Sequence, residues 1–210
     1  MFVIYISDMD LLQSVQGVNL EEVKRLIQLG TNVNSASSDH KSALFYACER
    51  GHYNIIEFLL QNGANVNCKG PRPLIAAVQN GDAKCVELLL KNGAYAHRIG
   101  LTSYKNTAMS NALRTGRFSV VSTLIDYGVV PNTRLTVETF RGARHKDARF
   151  LQTMLKKGSL SINSKEVACA ALEFAIKSGC LELASDVLSQ PFSNNDKIFS
   201  AAVHCSVKFK

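Results

Sequence analysis

The chain has no apolar run of the roughly 18 residues that suggest a membrane-crossing helix, and none of its segments reads as a span. Its opening Phe2-Val3-Ile4-Tyr5-Ile6 is apolar but stops at Asp8. Without a basic n-region and a full hydrophobic region it does not read as a secretory signal. There is no phosphate-cradling glycine loop ending in Lys-Ser/Thr, no G-x-S-x-G nucleophile elbow and no H-E-x-x-H helix. The commonest signatures of nucleotide, hydrolase and metalloprotease chemistry are therefore missing. Cys48, Cys68, Cys85, Cys169, Cys180 and Cys205 form no CxxC pair and no Cys/His zinc spacing. Cys48 and Cys85 fall at apolar helix positions, where a thiol packs as a small hydrophobe. Reduced thiols in the cytoplasm, with the nucleus as second choice, are expected.

The five histidines are scattered along the chain. Glu21-Glu22 sit at an expected helix N-terminus, where the helix dipole favours negative charge, and not as a carboxylate pair for acid–base work. His204 and Cys205 are neighbours, but adjacent helical residues point about 100° apart. No catalytic residue, cofactor site or metal site is assigned, and an enzyme is not expected.

What is present is a packed-domain composition, 46% hydrophobic and 20% charged, and a repeat. Glycines that end apolar helical stretches recur at Gly30, Gly63, Gly93, Gly128 and Gly158, spaced by 33, 30, 35 and 30 residues. A pair of large aliphatics precedes each: Leu26-Ile27, Leu59-Leu60, Leu89-Leu90, Leu124-Ile125 and Met154-Leu155. A sixth unit keeps Val187-Leu188 but has Pro191 where the glycine should be. An internal period of this length means stacked helical units, each unable to bury its apolar face alone.

Small residues mark the first helix of each unit: Ala47-Cys48, Ala76-Ala77-Val78, Ala112-Leu113, Gly142-Ala143 and Ala175-Ile176. They let neighbouring first helices approach closely. The second helix carries the bulk; Ile55, Ile56, Leu59 and Leu60 form a wide apolar face, and both Leu59 and Leu60 are expected to be buried. The glycine after it takes a positive φ that costs little without a Cβ. The periodicity predicts helix pairs at 42–50 and 53–62, 73–80 and 83–92, 107–115 and 118–127, and 170–178 and 181–189.

Residues 41–67 show the unit at its clearest. Ser42-Ala43-Leu44-Phe45 opens a helix, Gly51-His52 links it to the next, and Leu-Leu-x-x-Gly-Ala-x-Val-Asn closes from Leu59 to Asn67. This resembles an ankyrin repeat, a β-turn plus two helices of about 33 residues. The resemblance extends over nearly the whole chain. It implies an all-α ankyrin-repeat solenoid, a single domain over 1–210 with short β-hairpin fingers. Repeats fall at roughly 9–36, 37–69, 70–99, 100–132, 133–164 and 165–191, with 192–210 an incomplete terminal unit in which 196–207 looks like one more first helix.

The units depart from the pattern in places. Val18 stands where the first inter-helix glycine is expected, beside Gly17. The finger between Asn67 and Pro73 should be clipped, and the one between His97 and Thr107 should protrude. In the fifth unit Arg144-His145-Lys146-Asp147 replaces the glycine turn. The resemblance also implies that His52 holds its turn by side-chain hydrogen bonds. It further implies that the hairpin asparagine, Asn67 and less fully Asn34, where Thr31 replaces Ala, is a target of asparaginyl hydroxylation.

In such a solenoid the finger tips and first helices form a concave groove for a protein partner. The chain has 24 Lys+Arg against 17 Asp+Glu, a net charge of +7. The excess at groove positions lies in the second half, at Lys105, Arg114, Arg141, Arg144 and Lys177, with the aromatic Tyr104 beside them. These six are the candidate partner-binding residues. Gln16, Asp39, Glu49 and Gln79 make the first half neutral or acidic. The expected partner is an acidic protein segment, because Arg pairs bidentately with carboxylates and interface hot spots favour Tyr and Arg. Nucleic acid ranks lower, since no aromatic stacking platform or nucleic-acid motif accompanies the charge. An anionic membrane surface ranks lower still, for want of a Lys/Arg cluster.

The expected function is non-catalytic protein–protein recognition by a monomer acting as an adaptor or inhibitor. The alternative is the substrate-recognition part of a larger assembly, such as a ubiquitin-ligase receptor or a channel's cytoplasmic domain. The apolar start and unpaired last helix favour that alternative somewhat, because solenoid ends need polar capping repeats.

Overall fold

The computed structural model describes residues 8–68, 72–96, 108–129, 133–142, 147–156, 162 and 164–189. The chain forms two compact units, Met1–Val129 and Val130–Lys210. In the first unit four helix pairs follow one another: α1 (Asp8–Gln16) and α2 (Leu20–Gln28), α3 (Ala43–Arg50) and α4 (Tyr53–Gln61), α5 (Pro73–Asn80) and α6 (Ala83–Lys91), α7 (Ala108–Arg114) and α8 (Phe118–Asp126). The second unit holds α9 (Thr133–Gly142), α10 (Ala148–Lys156), α11 (Lys165–Ser178) and α12 (Leu181–Leu188).

Local chemistry starts and stops these helices. Ser42 accepts the Phe45 N–H at 3.1 Å to cap α3, and Asn19 accepts the Glu22 N–H at 3.1 Å to cap α2. Pro73 opens α5, where its missing N–H costs nothing. Each second helix of the first unit closes on its glycine in a Schellman turn. At Gly63, with φ 84°, the glycine N–H reaches Leu60 O at 3.1 Å and the Ala64 N–H reaches Leu59 O at 2.9 Å. The same closure forms with Thr31 and Val129 in place of Ala64, so the left-handed glycine is the residue that the turn itself requires.

First helices pack in sequence, α1 on α3, α3 on α5 and α5 on α7, and the second helices α2, α4, α6 and α8 lie alongside one another. The small residues make the first row possible: Ala43, Ala47, Cys48, Ala76, Ala77, Ala108 and Ala112 are all buried. In the second row the two aliphatics differ in three of the four units, while Leu89 and Leu90 of the third are both buried. Leu26, Leu59, Leu89 and Leu124 are at most 1% exposed, whereas Ile27, Leu60 and Ile125 are only half-buried. Leu60 therefore departs from expectation. Neighbours on a helix point about 100° apart, so the first member of each pair faces the core more squarely than the second.

The finger over residues 35–42 pairs through a single antiparallel bridge, Ala36 to Ser42. Ser42 is already committed to capping α3, which leaves no length for a ladder. The links at 69–71 and 97–107, with their expected clipped and protruding fingers, lie outside the described residues.

Val18 occupies the left-handed turn position with φ 60°, as its place in the period requires. It repeats the glycine closures: its N–H bonds Val15 O and the Asn19 N–H bonds Ser14 O.

In the second unit α9 packs on α11, α11 on α12, and α10 on α12. Two expectations change here. Helix α11 begins five residues earlier than position 170, because Ser164 caps it by accepting the Val167 N–H at 3.3 Å and Val167, Ala168, Ala170 and Ala171 extend its buried face. Gly142 is exposed, with open space where a Cβ would sit, so it is not a close-packing position. Helix α9 instead buries Thr136, Thr139 and Phe140, and the Phe140 ring lies 6.2 Å from that of Phe174 on α11. Gly158, residues 143–146 and the expected helix at 196–207 lie outside the described residues.

Candidate protein-binding surface

Of the six candidate contact residues, Arg114, Arg141 and Lys177 are described; Tyr104, Lys105 and Arg144 lie outside the described residues. The three occupy one structural position. Each stands in the last turn of a first helix, α7, α9 or α11, and each is exposed. A cation there is favoured by the carbonyl end of the helix dipole, so part of its presence is structural. Arg114 also donates from Nη2 to Asn111 Oδ1 at 3.1 Å. Arg141 and Lys177 belong to directly packed helices of the second unit. Asp39, Glu49 and Gln79 of the first unit are exposed and Gln16 is half-buried.

The turns between paired helices lock one repeat to the next. Asn80, ending α5, donates from Nδ2 to Glu49 O at 3.2 Å and lies where a Cβ on Gly51 would go, 2.9 Å from its Oδ1. Arg117 does the same one repeat on, with Nη2 bonded to Gln79 O at 3.2 Å and its guanidinium over Gly81. Gly51 is thus required by its φ of 73°, and a Cβ there would also displace the Asn80 side chain.

His52 does not hold its turn as expected. Its side chain makes no capping hydrogen bond, and Nε2 is buried without a partner. The backbone closes the turn instead, with the His52 N–H on Ala47 O at 3.0 Å. Burial, and then the charge of Arg50, push the imidazole pKa below its ordinary 6.5, which keeps it neutral at physiological pH.

The finger side carries a second set of locks that the sequence reading missed. Asn34 donates from Nδ2 to Gly63 O at 3.2 Å and accepts the Asn65 N–H at 2.7 Å. Asn67 donates to Gly93 O at 2.8 Å and accepts the Tyr95 N–H at 2.9 Å. Each side-chain amide pairs like a strand residue with the backbone of the following repeat. Asn32 and Asn65 orient these clamps by accepting the N–H of Asn34 and Asn67, both at 2.9 Å. The legible signal was Asn-Val-Asn at 32–34, repeated at 65–67.

Cys48 and Cys85 are core thiols. Cys48, Cys68, Cys85, Cys169 and Cys180 form no disulfide. Burial drives the Cys48 pKa well up. Burial, together with the hydrogen bond it donates to Asp82 at 3.4 Å, takes Cys85 to about 12. Neither supplies thiolate near neutrality. Among the described residues no group of three or more His, Cys, Asp and Glu side chains is arranged to hold a metal ion. None of the described helices is long and apolar enough to cross a membrane.

Paired helices stacked first helix on first helix, joined by glycine turns and asparagine clamps, define a helical-repeat protein. A family model described as ankyrin repeats (3 copies) matches residues 11–99 and 66–134, together more than half of the chain. The chain belongs to the ankyrin-repeat family, whose repeats are non-catalytic protein-interaction modules. It is 39% identical over 49 residues to the Acyl-CoA-binding domain-containing protein 6 homolog of Dictyostelium discoideum, covering 23% of this chain and 17% of that protein. It is 32% identical over 90 residues to the mouse serine/threonine-protein kinase TNNI3K, covering 42% of this chain and 11% of that protein. The chain thus matches only a minor part of either relative's length. The crystal structure of the human ASB11 ankyrin repeat domain superposes with a TM-score of 0.66 at 22% identity, covering 89% of this chain and 88% of that one. That likeness is one of fold.

Proposed function

We propose that this chain is a non-catalytic recognition module that binds an acidic protein segment through the finger and first-helix positions of its fourth to sixth repeats. The observation that carries the reading is an exposed cation in the last turn of the first helices α7, α9 and α11, Arg114, Arg141 and Lys177; α3 has Arg50 in the same place, but beside the exposed carboxylate residue Glu49. Tyr104, Lys105 and Arg144 complete the proposed set from sequence. Exposed charges of one sign steer encounter and set partner orientation more than they add affinity.

The test is binding of the intact chain to defined acidic and neutral peptides, with and without Arg114→Glu and Arg141→Glu. Association with acidic peptides should slow in the reversed variant and in added salt, which screens exposed charges, while unfolding stays unchanged. Binding indifferent to salt and to both reversals would refute the proposal.

A second reading is a recognition part of a larger assembly. It is supported by the ankyrin-matching stretch being 17% and 11% of the two relatives. Native-size chromatography of the protein from its own cells tests it: migration at the mass of the isolated chain would count against it. We also propose Asn67 and Asn34 as hydroxylation targets, checked by mass spectrometry of native protein for one added oxygen on either peptide.

A further inference from the structure

The finger over residues 35–42 holds an unusual backbone. His40 has φ 59°, one of two left-handed residues other than glycine among those described. A hairpin loop closed by a left-handed residue is where glycine fits without steric cost. Nothing described in the fold asks for an imidazole here. His40 is exposed, and among the described residues its side chain makes no hydrogen bond or ion pair.

The base of the finger is firmly built. The His40 N–H bonds Ser37 O at 2.8 Å and the Ser37 N–H bonds Lys41 O at 3.0 Å. Ser37 Oγ accepts the Lys41 N–H at 3.3 Å and the Tyr46 hydroxyl at 3.4 Å. Lys41 turns its ammonium back over the Phe45 and Tyr46 rings, 5.5 and 5.9 Å from their centres. The one cationic side chain of the loop is thereby withdrawn. Ser38, Asp39 and His40 stand exposed at the tip, with Asp39 as its carboxylate. Strained residues that the fold does not need are the ones to examine for function.

We propose that the Ser38-Asp39-His40 tip is a specificity element that takes an arginine of the partner, the Asp39 carboxylate pairing with the guanidinium and the His40 ring stacking on its plane. Arginine fits both groups: its planar fork matches a carboxylate, and its face stacks on an aromatic ring. The proposal rests on the reading of the chain as a protein-binding module. The partner would present arginine to the first finger.

The experiment uses the full chain, its His40→Gly and Asp39→Asn variants, and an array of nonapeptides with central Arg, Lys, Glu or Ala and randomised flanks. His40→Gly removes the strain, so its thermal midpoint should rise by about 2–4 °C, the scale for a chain of this size. Its binding to Arg-centred peptides should nevertheless fall by about five-fold or more, the loss expected of an interface anchor. Asp39→Asn should lose the same peptides without a gain in midpoint. A more stable His40→Gly chain that binds Arg-centred peptides as the wild type does would overturn the proposal, and so would a preference for Lys or Ala over Arg. Loss of Glu-centred binding on reversing Arg114 and Arg141 reports on the acidic-partner reading separately.

Discussion

The Asn67 clamp allows a substitution in which each atom is tested in turn. Asn67→Ala removes both bonds, Nδ2 to Gly93 O at 2.8 Å and the Tyr95 N–H to Oδ1 at 2.9 Å. At about 0.5–1.5 kcal/mol net for each, the loss should be about 1–3 kcal/mol, nearer the lower end because both bonds are exposed. Asn67→Asp keeps the acceptor for the Tyr95 N–H but sets a carboxylate oxygen against the Gly93 carbonyl, so it should lose at least as much at neutral pH. Below about pH 4, where an ordinary aspartate protonates, the acid O–H can donate to Gly93 O and the deficit relative to wild type should shrink. Urea unfolding gives the energies. Amide hydrogen exchange gives the address: the Tyr95 N–H should exchange faster in Asn67→Ala and stay protected in Asn67→Asp. Asn67→Ala within about 0.5 kcal/mol of wild type, the range of ordinary surface changes, with unchanged Tyr95 exchange would refute the clamp.

The buried member of the aliphatic pair should dominate stability. Leu59→Ala should cost about 2–5 kcal/mol and Leu60→Ala clearly less, with faster exchange in α4 and its neighbours α2 and α6; equal costs by urea unfolding would contradict the burial pattern. His52 binds its proton less readily folded than unfolded, so its contribution is full above pH 6.5 and is lost as pH falls through that value toward the lower folded pKa. Replacing it by Asn should flatten the pH 7.5-to-5.5 difference in unfolding midpoint. In the second unit, Gln152 is buried and shares its Nε2 between Glu182 at 3.2 Å and Asp186 at 2.9 Å. Gln152→Glu would gather three carboxylates there and should destabilise that unit by about 1–3 kcal/mol, the cost of stranding buried hydrogen-bonding groups; an unchanged melting curve would show that α10 and α12 do not depend on this contact. Val18 leaves its strained φ on substitution by Gly, and the first helix pair should exchange no faster as a result; faster exchange of α1 would mean that the half-exposed side chain matters more than the strain.

Much of the fold was legible because its causes are local. A helix cap such as Ser42, a proline at a first turn such as Pro73 and a glycine closing a Schellman turn such as Gly63 act within a few residues of themselves. The helices of the second to fourth repeats therefore fall within one residue of their expected ends. The period exposed Val18 as a residue in glycine's place before its φ was seen. The candidate surface was legible as a position: Arg114, Arg141 and Lys177 end first helices and are exposed.

What sequence alone determined is the repeat, its small first-helix residues and its bulky second-helix residues, because periodic burial follows from the helical period. What the tertiary structure decided is every choice that depends on the neighbouring repeat. Leu59 is enclosed and Leu60 half so because of the direction from which the adjacent helices approach. Asn34 and Asn67 are clamps because the next repeat brings a carbonyl and an N–H to their amides. His52 is left without a partner because the backbone closes its turn first. Gly142 stands open because Phe140, two residues before it, meets Phe174 and carries the contact. The repeated Asn-Val-Asn marks the clamp positions in sequence, but the partners they reach some 30 positions away appear only when the repeats are stacked.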